Sequence, residues 1–199
     1  MKEKIIFTIL LLTFSIGFSQ IKSGEYATGL NIAYNPVNKL VTGYYENFTG
    51  FDEETGNPKF SCIFYLEGFY KNGKIMVTSY YPIDKLEDEI KGELQIIDIN
   101  KIKIKLSEEH GGCWNVEHFA NEFVIFNLKT TKNWKEIRYI DSNKAYFYGD
   151  KKENTKKKSF LIKGDIVYID KIENNWIYCQ FLGKKIIEGW LKKKSVNKD

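Results

Sequence analysis

Proline, histidine and methionine are scarce in this 199-residue chain, which has three, two and two of them. The longest apolar run is shorter than the ~20 residues that a membrane helix needs. No segment of helical length has its apolar residues at the period of an amphipathic helix. Phosphate-binding loops and the G-x-S-x-G and H-E-x-x-H motifs are absent, so common enzyme signatures are missing. Thirteen tyrosines, 14 phenylalanines and four tryptophans argue against disorder. We therefore expect a folded, non-catalytic protein with no cofactor and no bound metal.

The first 19 residues have the composition of a signal peptide. Lys2 and Lys4 precede an apolar run over residues 5–14, and the small residues Gly17 and Ser19 follow in cleavage-site positions. We expect cleavage after this segment, export of the mature chain and no stable membrane insertion afterwards. The destination would be the periplasm, the cell surface or the medium. An uncleaved anchor helix is the alternative interpretation.

Charge divides the mature chain into two parts. Residues 20–128 carry 10 lysines and 16 acidic residues, a net charge of −6, whereas residues 129–199 carry 18 basic and nine acidic residues, a net charge of +9. A change this abrupt indicates a domain boundary. We predict a first domain over 20–128, a linker over 129–136 and a second domain over 137–199.

The pattern of the first domain predicts strands. KIKIKL (101–106) alternates strictly between apolar and basic residues, which is typical of a sheet with one solvated face. KFSCIFYLEG (59–68) places Phe60, Cys62, Phe64 and Leu66 on one face, and Asn72-Gly73 then predicts a tight hairpin turn. Short strands at spacings of about 10 residues indicate an all-β fold, with an antiparallel barrel or sandwich as the N-terminal domain.

Four segments of the second domain occur in the order of a known family. They are AYFYGD (145–150), LIKGDIVYID (161–170), NNWIYCQF (174–181) and EGWLKKKSV (188–196). Residues 137–196 thereby resemble the bacterial SH3 domain family, most closely at Lys163-Gly164-Asp165 and Gly189-Trp190. Asn175 departs from the glycine usual at its position. The resemblance implies a small SH3-like β-barrel after the N-terminal domain.

Bacterial SH3 domains often bind cell-wall peptides or serve as recognition modules on exported proteins. The resemblance therefore implies a ligand groove, with aromatic side chains as a platform and lysines supplying charge. Further lysines around 151–158, 184–185 and 192–194 make the surface cationic. Export makes nucleic acid an improbable target, so we expect peptidoglycan, a cell-wall peptide or a protein partner. The predicted groove residues are Tyr146, Tyr148, Lys163, Trp176 and Tyr178.

Three cysteines allow one disulfide in an exported protein. Cys62 and Cys113 both belong to the first domain, so we predict that they pair and that Cys179 is a buried free thiol. The segment SEEHGGCWNVEHF (107–119) also allows a metal site from His110, Cys113 and His118, or a nucleophilic Cys113. Under the disulfide interpretation both histidines lie in surface loops.

The acidic character of the first domain supports a second function. The acidic runs at 52–54 and 84–89 lack the spacing of a calcium loop and suit solvated loops. Such loops could contact a basic target enzyme, and electrostatic attraction would then speed association. An inhibitor or immunity protein is therefore the alternative to a wall-binding or partner-binding protein.

Overall fold

Strands make up nearly all of the regular structure, which confirms the predicted all-β class. The structure is a computed structural model and describes residues 21–71, 74–83 and 89–198. The predicted signal peptide, the turn at Asn72-Gly73 and most of the acidic run at 84–89 lie outside the described residues. Short 3-10 turns cover Ala27–Gly29, Cys113–Asn115, Glu153–Thr155 and Lys193–Ser195. None of the helical turns in the described ranges has the length and apolarity needed to cross a membrane.

The first eight strands form a closed antiparallel barrel in which each strand pairs with its neighbours along the chain. β1 pairs with β8 to complete the circle. The barrel alternative predicted for the N-terminal domain is thus confirmed. Alternation in β7 is as the sequence predicts, with Ile102, Ile104 and Leu106 buried and the lysines between them half-buried. The strands are β1 Gly24–Tyr26, β2 Leu30–Asn35, β3 Leu40–Phe51, β4 Pro58–Lys71, β5 Lys74–Tyr80, β6 Ile90–Asp98, β7 Lys101–Leu106 and β8 Val124–Thr131.

The barrel interior is filled with aromatic rings. Tyr45 stacks on Phe64 and meets Phe119 edge-on, each at 5.1 Å between ring centroids. Phe126 stacks on Phe119 at 6.1 Å. All four side chains are fully buried, so this cluster packs the interior of the barrel with rings in contact.

The disulfide between Cys62 and Cys113 is present and confirms the predicted pairing. It ties β4 to the 3-10 turn Cys113–Asn115. An ideal Cβ on Gly112 would lie 2.4 Å from the Ser61 carbonyl oxygen, so a residue without a side chain is required for the turn to approach β4 this closely. Thr49 Oγ1 adds a hydrogen bond to the Asn115 carbonyl oxygen at 2.7 Å. Cys179 is free and fully buried.

The prediction that both histidines lie in surface loops is wrong for His110. This side chain is 4% exposed, stacks on Phe64 at 5.1 Å and has Nε2 2.9 Å from Ser79 Oγ. A buried imidazole needs a polar partner, and Ser79 supplies one. His118 is exposed, and its Nδ1 lies 3.8 Å from Glu109 Oε1.

The hairpin of β3 and β4 continues beyond the barrel interior. Phe60 has the same orientation along β4 as Cys62 and Phe64, as the alternation predicts, yet it is 42% exposed. Phe51, near the end of β3, is also exposed. Between the strands, Asp52 Oδ1 accepts hydrogen bonds from the backbone N–H groups of Glu54 and Thr55. These bonds give the acidic loop a fixed shape.

The remaining strands form a six-stranded antiparallel sheet in the order β11-β10-β14-β13-β12-β9, called here the second sheet. One side of this sheet covers a separate core. The strands are β9 Glu136–Tyr139, β10 Lys144–Tyr148, β11 Lys156–Ile162, β12 Ile166–Glu173, β13 Trp176–Leu182 and β14 Ile186–Lys192. The core consists of Ile140, Ala145, Phe147, Leu161, Val167, Ile169, Ile177, Cys179, Leu191 and Val196.

The barrel and the second sheet are packed together along β9, an interface called here the seam. β9 pairs with β12 and also lies against the barrel, where Ile137 N donates to Thr42 Oγ1 and Tyr65 Oη donates to the Ile137 carbonyl oxygen. Apolar contacts surround these bonds. One cluster joins Ala33 to Trp134, Ile137 and Tyr168, and another joins Tyr65, Tyr80 and Tyr139. The two units therefore share a buried, hydrogen-bonded interface.

Candidate ligand-binding groove

Aromatic side chains occupy the face of the second sheet opposite its core. In β10, Ala145 and Phe147 enter the core, so Tyr146 and Tyr148 take the other side. In β13, Ile177 and Cys179 enter the core, and Trp176 and Tyr178 take the other side for the same reason. Strand alternation thereby places all four predicted aromatic residues on one face.

The register of the three central strands brings the rings into contact. β14 lies between β10 and β13, and its Trp190 is opposite Tyr148 on one side and Tyr178 on the other. The rings of Tyr148 and Trp176 meet edge-on at 4.9 Å between centroids. Tyr178 meets Trp190 in the same manner at 5.4 Å. The result is a row of rings in contact, in which Tyr148 is buried and Trp176, Tyr178 and Trp190 are half-buried.

Lys192 lies above the first of these pairs. Its Nζ is 5.7 Å from the Tyr148 ring centroid and 6.0 Å from that of Trp176. The same Nζ is in close contact with a Glu153 carboxylate oxygen, and Tyr148 Oη donates to the other oxygen at 3.3 Å. The hydrogen bond from Lys192 lowers the pKa of the Glu153 carboxyl and raises the pKa of the Lys192 ammonium. Both groups therefore remain charged near neutral pH.

Two cavities adjoin at Lys192 and Lys194, and together they form what we call the aromatic groove. One cavity, of about 220 Å³, is lined by Tyr146 and Tyr148. The other, of about 400 Å³, is lined by Trp176, Glu153 and Asn175. Lys144 adds a third positive charge at the end of the first cavity. The groove thus offers flat apolar surfaces beside cationic groups.

The structure brings together three of the five groove residues predicted from the sequence. Tyr146, Tyr148 and Trp176 line the groove. Tyr178 belongs to the same face but packs against Trp190. Lys163 lies in the turn between β11 and β12, where an ideal Cβ on the next residue, Gly164, would be 3.6 Å from Ile83 of the barrel. Lys163 is therefore placed beside the barrel.

Glu153 is a groove residue that the sequence reasoning missed. It is one acidic residue within a lysine-rich loop, so charge patterning alone gives it no special role. Its importance comes from the 3-10 turn Glu153–Thr155, which brings its carboxylate to Lys192 and Tyr148.

The segment 107–119 has a structural role in the fold. Cys113 is oxidised in the disulfide, so it offers no thiolate for a metal or for nucleophilic attack. His110 contacts Ser79 in the interior, whereas His118 lies at the surface. Within the ranges 21–71, 74–83 and 89–198, no group of three or more His, Cys, Asp and Glu side chains is arranged to hold a metal ion.

No protein-family model matches the chain, and no curated protein matches it either.

Proposed function

We propose that this chain is an exported, non-catalytic binding protein whose second sheet recognises a cell-wall peptide or glycan, or a peptide segment of a partner protein. The observation that carries the proposal is the edge-on pair of Tyr148 and Trp176 beneath the ammonium group of Lys192. The disulfide is compatible with an oxidising compartment outside the cytoplasm.

The chemistry of the groove suits a flat or extended ligand. Half-buried tyrosine and tryptophan rings provide large contact areas for sugar faces, peptide backbones or apolar side chains. Lys144 and Lys194 attract anionic groups to the rim. Binding by one such shallow groove is weak, and several copies on a polymeric wall would strengthen it through effective concentration.

Glu153 competes with an acidic ligand for Lys192. In the free protein the Glu153 carboxylate pairs with the ammonium group of Lys192. An acidic ligand would replace Glu153 as the partner of Lys192, whereas a neutral ligand would leave the pair in place. Because the pair is solvent-exposed on the Glu153 side, the exchange costs little.

Co-sedimentation with purified peptidoglycan at low and high salt tests the proposal on the whole mature chain. We expect the protein to pellet at both salt concentrations, and Trp176→Ala to weaken the binding constant by up to about tenfold, since one aromatic contact is worth about 0.5–1.5 kcal/mol. Trp114→Ala is the matched control, because Trp114 is 63% exposed and lies on the barrel. Equal binding by both variants, or complete release by salt, would contradict a wall-binding groove.

The protruding hairpin favours a second candidate, an inhibitor or immunity protein that binds a basic enzyme. The fixed acidic loop lies beside exposed Phe51 and Phe60, a combination of charge and apolar area typical of protein contacts. Inhibition of a panel of purified cationic secreted enzymes tests it. Glu53→Gln with Glu54→Gln should slow association with a target and Trp176→Ala should not; an unchanged rate with the first variant would exclude this role for the loop.

A further inference from the structure

A cavity of about 490 Å³ opens at the seam, and we call it the seam pocket. Asn38, in the turn between β2 and β3, contributes from the barrel. The second sheet contributes β9, the ends of β12 and β13, and the C-terminal segment. Ligand sites occur preferentially at such junctions between units, where two surfaces create a concavity that neither has alone.

Two buried, opposite charges line the seam pocket. Glu136 and Arg138 are 6% and 4% exposed, and Arg138 Nε donates to Glu136 Oε2 at 2.8 Å. Glu136 Oε1 accepts a second bond from Asn35 Nδ2 at 3.0 Å. On the barrel side, Glu67 Oε2 lies 3.8 Å from an Arg138 terminal nitrogen. These contacts fix the pair in place and cancel its charges, so it gives the pocket a rigid polar lining.

The rim of the seam pocket is cationic. Lys193, Lys194 and Lys198 are exposed and line the opening. Their backbone is fixed, because Lys193 N donates to the Asn175 carbonyl oxygen at 2.8 Å and Asn197 Oδ1 accepts a hydrogen bond from Tyr139 N at 3.0 Å. The pocket is therefore net positive even when Glu67 is counted with Glu136.

The rest of the wall is aliphatic. Ile172 is partly exposed in the pocket, and the buried side chains of Ile169, Ile177 and Val196 also line it. A ligand that suits both features has an anionic head for the lysines and an apolar stem for the isoleucines.

From this combination we infer that the seam pocket binds a carboxylate carried on an aliphatic stem. The cationic rim matches the carboxylate, and the isoleucine wall matches the stem. A free aliphatic monocarboxylate and the C-terminus of a peptide share this chemistry. Lys194 and Asn175 also line the aromatic groove, so the two sites are neighbours. The inference stands independently of the aromatic groove, because no groove aromatic residue is needed for it.

The test is an NMR titration of the whole mature chain with two pairs of probes. Hexanoate is compared with hexanamide, and N-acetyl-alanyl-leucine with its C-terminal amide. We expect saturable shifts of the Asn175 and Asn197 backbone amides and the Ile172 methyl groups with both acids or with one of them. The acid that binds more tightly identifies the source of the carboxylate. The amides should bind about tenfold more weakly, because they lack the charge.

The second part of the test removes positive charge from the rim of the seam pocket. Lys193→Gln with Lys198→Gln should weaken binding of the acid about three- to tenfold, as expected for two exposed charge contacts. Lys184→Gln with Lys185→Gln removes the same charge from the exposed turn between β13 and β14 and should change the affinity for the acid less than about twofold. Trp176→Ala should leave it unchanged even if peptidoglycan binding is lost. Equal shifts with acids and amides, no saturable shift at the seam, or equal losses in both lysine variants would overturn the inference.

Discussion

Thr42 Oγ1 accepts a hydrogen bond from Ile137 N at 2.7 Å, and both residues are fully buried. The bond joins β3 of the barrel to β9 of the second sheet. A backbone N–H at this depth has no access to water, so the threonine hydroxyl is what compensates its burial. The seam is thus held by specific polar contacts as well as by apolar packing.

Thr42→Val should lower the free energy of unfolding by about 1–3 kcal/mol, because valine keeps the shape of threonine and leaves the Ile137 N–H without its acceptor. Urea unfolding followed by tryptophan fluorescence measures the loss. Thr130→Val is the matched control, since Thr130 is exposed on β8 and the change should alter stability by less than about 0.5 kcal/mol. Equal stability of the two variants would show that the bond contributes nothing.

The disulfide should account for about 4 kcal/mol of stability, because it closes a sequence separation of 51 residues and restricts the unfolded chain. The double variant Cys62→Ala, Cys113→Ala is compared with wild type by urea unfolding, with Cys179→Ala as the control for thiol loss. A thiol count on the unreduced, denatured protein should give one thiol per chain, from Cys179. A count of three would rule out the bridge in solution.

His110→Ala should destabilise the barrel by about 2–4 kcal/mol, because it removes the contact with Ser79 and leaves a cavity beside Phe64. His118→Ala removes the same side chain from the surface and should cost less than about 1 kcal/mol. Thermal unfolding at pH 8 compares the two variants. Similar losses would mean that the imidazole of His110 is not packed as described.

Alkaline pH should unfold the protein through its buried tyrosines. Burial raises the pKa of Tyr45 to about 12 and also raises the pKa values of Tyr26, Tyr65 and Tyr168. A tyrosine of this kind stays neutral in the fold while its unfolded form ionises from the ordinary value of 10.0 upward. Its stabilising contribution is therefore complete below pH 10 and is lost as pH rises from 10 through 12.

Urea midpoints between pH 8 and 12, together with tyrosinate absorbance, measure this loss. Tyr45→Phe should reduce the steepness above pH 10 by up to about 1.4 kcal/mol per pH unit, the value for one proton. A variant as steep as wild type, or tyrosinate absorbance that develops fully before unfolding, would contradict the assignment of Tyr45 as a buried neutral phenol.

Local patterns in the sequence predicted where strands form, but they predicted less well whether each side chain is buried or exposed. KIKIKL alternates by itself, so β7 could be recognised without its neighbours. The exposure of Phe60 depends on how far β3 and β4 extend past the other strands, and the burial of His110 depends on Ser79 and Phe64, which are far away in sequence. The alternation of period 2 shows on which side of a strand a side chain lies, but not which other residues cover that side.

The same limit applies to the aromatic groove. Tyr148 and Trp176 lie on one face, because the alternate residues of each strand are apolar and buried in the core. Their contact, the position of Glu153 and the separation of Lys163 from them follow from strand register and turn geometry. The burial of Glu136 and Arg138 depends on the docking of the barrel, which EIRY as a short segment cannot reveal.

The double role of β9 determines how the chain can be divided. A fragment that begins at residue 136 would expose Ile137, Tyr139 and Tyr168 to water, and a fragment that ends at residue 131 would expose Tyr65 and Tyr80. Each half would then present an adhesive apolar surface and tend to aggregate. The second sheet therefore cannot be moved to another protein as an independent unit. Fusion proteins and chimaeras that include the second sheet must carry the barrel with it.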